Sequence, residues 1–228
     1  MSTCCMLFVK NPEPGKVKTR LQSGCSPEAA AELYRAFILD CAATLVESTA
    51  QRKVVAYAPA DAGTAIGALL AGMGDFELVP QPELDLGGRM AQMAEWSFAA
   101  GAERTAIIGS DSPSLPAGQI DAALEMLVER EVVIGPSTDG GYYLIGLRAG
   151  ECGDLFTGVE WSTGRVLEQT LARVGTRRLG LLTPWYDVDT PPEAGFLKIH
   201  LEGLQQAGSG VGKHSLEVLR RMDLPAPS

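Results

Sequence analysis

The sequence predicts an α/β fold with a largely parallel sheet, and three observations carry that prediction. Short apolar runs alternate along the chain with longer segments of helical period. Most of the runs are bounded by Gly, Pro or Asp, residues that punctuate strands. The 228 residues show no internal repeat, low-complexity tract or break in composition, so a single domain spanning 1–228 is expected.

In chain order, the strand-like runs fall at 4–9, 54–57, 77–80, 105–109, 132–135, 142–147 and 178–182. The first helix has a clear start: Ser26 as N-cap, Pro27 at the first helical position and Glu28 in the first turn, followed by an Ala/Leu-rich stretch to about Ser48. Further helices are predicted at 61–71, 88–100, 117–130, 163–174 and 192–206, with a last one over 213–222. The linker-like stretch "QQAGSGVGKHS" comes too late to separate two cores.

Hydrophobic residues make up 46% of the chain and charged ones 21%, as in ordinary globular proteins. A net charge of -9 argues against nucleic acid and anionic membranes as partners, because both are polyanions. No apolar run approaches the roughly 20 residues of a membrane span. "CCMLFV" lacks the basic leader and cleavage site of a signal peptide, so a cytoplasmic protein is expected. The five cysteines, Cys4, Cys5, Cys25, Cys41 and Cys152, form no C-x-x-C pair and read as reduced core residues.

Against this acidic background, "FVKNPEPGKVKTRL" gathers Lys10, Lys16, Lys18 and Arg20 just after the first strand. It is not a Walker A loop: the first glycine is missing, and Val17 stands where Ser or Thr would hold magnesium. "AGSGVGKHS" fails too, with Ala207 and His214 at required positions. No G-x-G-x-x-G follows the first strand either. What remains is a loop at the carboxyl end of a strand, where open α/β sheets bind ligands. Gly15 permits close backbone approach, and Lys16, Lys18 and Arg20 supply charge-assisted donors for a small anion such as phosphate. The alternative is a solvated basic turn.

Three further clusters lie at strand ends. In "AIIGSDSPSLP", Asp111 follows an apolar run at the same carboxyl rim, where a hard carboxylate suits Mg²⁺ or Mn²⁺ against a pyrophosphate; a simple turn cap is the alternative. In "GPSTDGGYYLIGL", Asp139 reads as a base or as a residue that orients a hydroxyl. Gly140 and Gly141, with the adjoining Tyr142, read as an acceptor surface, although Asp-Gly-Gly is also an ordinary hairpin signal. In "WYDVDTPPE", Asp187 and Asp189 share one side of an extended segment, a costly arrangement unless a cap, solvent or a cation compensates. Thr190 before two prolines suits the start of a helix. The two histidines, His200 and His214, read as surface residues, which argues against a Ser-His-Asp or Cys-His hydrolase.

The motifs "KNPEPGKVKTRL", "LDLGGRM", "GSDSPSLP", "GPSTDGGYYLIGL" and "DVDTPPE" resemble, in this order and over about residues 4–200, a bacterial family of glycosyltransferase-like or nucleotide-diphospho-sugar transferase proteins of the GT-A type (DUF2064-like). The K-T-R-L and D-V-D-T-P elements are also similar to those of 2-phospho-lactate guanylyltransferase and, more distantly, of the molybdenum-cofactor guanylyltransferases. The resemblance implies a three-layer α/β/α sandwich with a Rossmann-like sheet that binds a nucleotide at its first-strand loop. It implies that Lys10, Gly15, Lys18 and Arg20 embrace phosphates and that Asp111 ligates Mg²⁺ or Mn²⁺, with Asp189 and Asp187 completing the metal site or meeting the acceptor. Residues 85–89, Asp85 and Gly87 among them, would sit near the base or ribose. The metal strand ends S-D-S rather than D-x-D, and the loop lacks the G-x-G-x-R of sugar-nucleotide pyrophosphorylases. The expected activity is transfer from a nucleotide or nucleotide-sugar donor to a small-molecule acceptor, foremost glycosyl transfer. The alternatives are nucleotidyl transfer with release of pyrophosphate and a non-catalytic nucleotide sensor.

Overall fold

A computed structural model describes residues 2–225. Seven strands form one sheet: β1 (Thr3–Lys10), β2 (Arg52–Ala58), β3 (Glu77–Pro80), β4 (Arg104–Ile108), β5 (Val132–Pro136), β6 (Tyr142–Arg148) and β7 (Leu179–Leu181). Their order is β3-β2-β1-β4-β6-β5-β7, and β6 alone runs against the rest. That reversal comes from the Asp139-Gly140-Gly141 turn, which joins β5 to β6 as a hairpin.

Seven helices accompany the sheet: α1 (Pro27–Glu47), α2 (Gly63–Leu69), α3 (Leu86–Ala99), α4 (Ala117–Met126), α5 (Val166–Val174), α6 (Pro191–Gln206) and α7 (Lys213–Leu219). Alternation along β1 assigns the layers. Cys5, Leu7 and Val9 face a core built with α1, α2, α4, α6 and α7, whereas Cys4 and Met6 face the core beneath α3 and α5. The result is the expected three-layer sandwich with a mainly parallel sheet.

Local chemistry sets the helix starts. Ser26 Oγ accepts from Ala29 N at 3.2 Å ahead of Pro27, as the sequence predicts for α1. Glu193 Oε2 accepts from the backbone of both Asp189 and Thr190 at 2.7 Å, closing a capping box that fixes the chain before α6. The third helix begins at Leu86 rather than 88, because Asp85 Oδ1 accepts from Gly88 N at 2.7 Å and caps it.

The pairing of Leu7 with Ile108 puts the carboxyl ends of β1 and β4 side by side. The chain leaves β1 toward β2 on one flank and returns at β4 on the other, so this rim is the switch point of the sheet, where a crevice opens.

Candidate active site

A cavity of about 620 Å³ opens at that rim. A second of about 380 Å³ adjoins it, and the two share Lys10, Lys16, Val17, Gln81 and Arg89 along their common wall.

Lys18 lines the larger cavity. Its backbone is left-handed, with φ +46°, which turns the side chain inward until only 3% of it is exposed. Its ammonium meets Asp111 Oδ1 at 2.5 Å, Asp189 Oδ1 at 2.8 Å and Val188 O at 2.7 Å. The two carboxylates come from distant parts of the chain but are fixed to each other, since Val188 N donates to Asp111 O at 2.9 Å. Burial works against the charged ammonium, yet Asp111 and Asp189 outweigh it and hold the Lys18 pKa above the usual lysine range. The rings of Phe37 and Tyr34 lie 5.4 and 5.9 Å from the same ammonium.

The other cations of the opening loop differ in what neutralises them. Lys16 pairs with Glu13 at 2.6 Å on the surface, and Arg20 reaches Asp189 Oδ2 at 3.7 Å. Lys10 and Arg89 line both cavities and make no ion pair among the described residues. Arg89 is held in place by Leu84 O, which accepts from its Nε at 2.7 Å. Tyr34 braces the rim from below: its hydroxyl accepts from Lys10 N at 3.1 Å and bonds Ser110 Oγ at 2.8 Å.

The residues singled out in the sequence therefore divide. Lys10, Lys16, Lys18, Asp85, Asp111, Tyr142 and Asp189 line the larger cavity, and Arg20 joins them through Asp189. Gly15, Gly87, Asp139, Gly140, Gly141 and Asp187 do not line it. Their surroundings differ. Gly15 takes φ +78° in its turn with nothing near its absent side chain. Gly87 leaves room for Trp161, whose ring would stand 2.7 Å from an added Cβ. Asp139 Oδ1 accepts from Gly141 N at 2.8 Å within the hairpin, and Gly140 approaches the backbone of Gly164. Of the two glycines expected at an acceptor surface, Gly140 packs against the backbone of Gly164, and Gly141 donates to the Asp139 carboxylate.

Asp187 parts from Asp189 as well. Its carboxylate accepts from Ser137 Oγ at 2.7 Å, and burial, with Asp139 adding to it, pushes its pKa up to about 6. It does not stand with Asp111 and Asp189 as a third ligand. Tyr142 and Trp161 line the same cavity with their rings edge-on, centroids 6.5 Å apart.

Two residues of this wall escaped the sequence reading as individuals. Arg89 lies in the 85–89 stretch but was masked by the glycines before it. Gln81 is locked between β1 and β2, its Nε2 donating to Ala56 O at 2.6 Å and Val9 O at 3.3 Å. Its position just past β3, at the carboxyl rim, is the signal that could have found it.

Comparison with known proteins agrees with this architecture. The family described as uncharacterized proteins conserved in bacteria, DUF2064, matches residues 41–163. No curated protein matches the chain. The crystal structure of a candidate nucleotide-diphospho-sugar transferase from Desulfovibrio desulfuricans G20 is 35% identical, with a TM-score of 0.87, covering 97% of this chain and 95% of that one. A cytidylyltransferase from Leptospira borgpetersenii shares the fold at 12% identity and a TM-score of 0.61, covering 97% and 94% of the two chains. So does the 4-diphosphocytidyl-2C-methyl-D-erythritol synthase of Anaerococcus prevotii, at 8% identity and a TM-score of 0.60, covering 88% and 96%. The resemblance drawn from five ordered motifs thus holds across nearly the whole chain, which belongs to the DUF2064 family.

Proposed function

We propose that the protein is a metal-dependent transferase acting on a nucleotide that carries a di- or triphosphate, foremost a nucleotide-diphospho-sugar transferase. One observation carries this reading: at the switch point of the sheet, Lys10 and Arg89, without an ion pair among the described residues, face the same cavity as the carboxylate pair of Asp111 and Asp189. Polyphosphate needs the first group and its counter-ion the second. The 35% identical relative, named for nucleotide-diphospho-sugar transfer, supports the ligand class.

The metal is tested by the donor set. Asp111 Oδ1, Asp189 Oδ1 and Val188 O are hard oxygens that converge on one point, now held by the Lys18 ammonium. Such oxygens suit Mg²⁺ or Mn²⁺, and two carboxylates with the balance from water and phosphate is a usual complement. Among the described residues no group of three His, Cys, Asp or Glu assembles, so the remaining ligands of such an ion would come from solvent and substrate. When bound, the ion would neutralise charge on the leaving phosphate. The chain's own part is to hold Lys10, Lys16 and Arg89 against the phosphates and to shield the acceptor behind Tyr142 and Trp161.

Nucleotidyl transfer is the second reading, favoured by the Lys18-Thr19-Arg20-Leu21 element. Cytoplasmic action fits either, given five free cysteines, and no helix among the described residues is long and apolar enough to cross a membrane. A melting-temperature screen of nucleotides and nucleotide sugars, with and without Mn²⁺, tests the proposal. A metal-enhanced rise with at least one of them is expected, and no rise with any would overturn it. Pyrophosphate release from a nucleoside triphosphate and a sugar phosphate would reverse the ranking of the two readings.

A further inference from the structure

An ammonium has three N–H donors, and the Lys18 ammonium has three acceptors: Asp111 Oδ1, Val188 O and Asp189 Oδ1, at 2.5, 2.7 and 2.8 Å. Nothing is left over for a phosphate. The phosphate role read from the sequence does not fit Lys18 in this arrangement. The side chain instead fills a collar of oxygens whose chemistry is that of a small hard cation.

We propose that the Lys18 ammonium and a divalent metal ion compete for the oxygens of Asp111 and Asp189, so that the free protein fills its own cation site and accepts metal there only after Lys18 withdraws. The inference rests on the metal-dependent part of the function proposed above and adds the residue that controls it.

Several observations support a resident ammonium rather than a casual surface pair. The Lys18 side chain is almost wholly buried, whereas Lys16, two residues away, leaves 72% of its side chain exposed. Lys18 adopts a left-handed backbone that lysine rarely takes, and the collar is what that conformation reaches. The outer oxygen of Asp189 has a cation of its own, since Arg20 Nη1 lies 3.7 Å from Oδ2. A metal ion entering the free protein would therefore meet two positive side chains at the pair it needs. Withdrawal of Lys18 would require another anion to receive it, and under the proposed function a phosphate of the nucleotide would do so only once Lys18 has left the collar.

The test measures Mn²⁺ alone, by electron paramagnetic resonance of the free ion, on metal-stripped protein without nucleotide. Lys18→Met should bind Mn²⁺ about tenfold or more tightly than wild type, because a unit charge a few ångströms away weighs heavily in a part-buried site. Adding Asp111→Asn to that variant should cancel the gain. Lys16→Met removes the same charge from the loop without touching the collar and should change nothing. Equal Mn²⁺ affinity in wild type and Lys18→Met, or an equal gain in Lys16→Met, would overturn the proposal. If Lys18→Met does not fold, wild-type melting decides: Mn²⁺ alone should leave the transition where it is, and a rise abolished by Asp111→Asn would count against competition. A protein that binds no nucleotide would sink the proposed function while leaving this result intact.

Discussion

Replacing Gly140 with alanine separates a glycine kept for an acceptor from one kept for packing. An added Cβ would stand 2.2 Å from Gly164 O and 2.8 Å from both the carbonyl carbon and the Cα of Gly164. All three atoms are backbone, so no flexible side chain can yield. The residue also sits at φ +90°, outside the range that alanine takes comfortably. Backbone strain of this kind costs about 1–3 kcal/mol. Overpacking against an unyielding neighbour adds about 1–3 kcal/mol. Relief by opening the hairpin would break the bond from Leu167 N to Gly140 O, at 2.8 Å, so it offers no cheap escape. Urea unfolding followed by far-ultraviolet circular dichroism should therefore show Gly140→Ala less stable by about 2–6 kcal/mol at an unchanged slope. Gly141→Ala is the control. Its Cβ would meet only the Asp139 carboxylate, at 3.1 Å, and that side chain can rotate, so a loss below about 1 kcal/mol is expected. Wild-type stability in Gly140→Ala, with transferase activity alone lost, would refute the packing account and restore the glycine to the acceptor.

Arg89→Ala should weaken nucleotide binding by about 1.5–3 kcal/mol, the worth of hydrogen bonds to charged groups, and unchanged affinity by calorimetric titration would remove Arg89 from the site. Asp187, whose pKa is raised from 3.8 to about 6, holds its proton more tightly in the folded state, so its contribution to stability is lost as pH rises through about 6. Asp187→Asn keeps an acceptor for Ser137 and should raise the melting temperature near pH 8 but not near pH 4; the same difference at both would contradict that assignment. Asp40 accepts from the backbone of His214 and Ser215 and from Ser215 Oγ, anchoring the start of α7 to α1. Asp40→Ala should cost about 3 kcal/mol in denaturant unfolding, and a loss under about 1 kcal/mol would show the cap to be dispensable.

Much of the fold was legible because its signals are local. Glu77–Pro80 is bounded as its apolar run and flanking residues predict, and Ser26-Pro27-Glu28 marks the start of α1 without ambiguity. The start of α3 was less plain, because Gly87 and Gly88 look like a break. Asp85 caps across them, and Trp161, more than seventy residues later, occupies the space a side chain would have taken. The fourth helix stops at Met126, short of the expected 130, in a tight turn that an amphipathic pattern does not reveal. The site was legible at its rim and illegible within. Lys16 and Lys18 are equivalent as letters, and only the left-handed turn at Lys18, with two carboxylates distant in sequence, tells the buried cation from the solvated one. Likewise Asp187 and Asp189, alike in an extended segment, separate because Ser137 takes one and Lys18 the other.

The charge pattern that first draws attention to the opening loop has a physical rationale in this pairing. A cradle of bare cations at the end of β1 would repel itself in the free protein, and a bare pair of carboxylates would do the same. Set against each other, Lys18 with Asp111 and Asp189, and Arg20 with Asp189, compensate the carboxylate pair and its two nearest cations, while Lys10 and Arg89 keep no ion pair among the described residues. The cost of burying charge is met before any ligand arrives. The metal-bound polyphosphate of the proposed function would bring both signs at once, and could take each partner from the other with little net change in buried charge. Metal alone, or an anion alone, would strand one side of the pair. Under the proposed function, an acidic chain with this cationic loop would favour a ligand that is itself an ion pair.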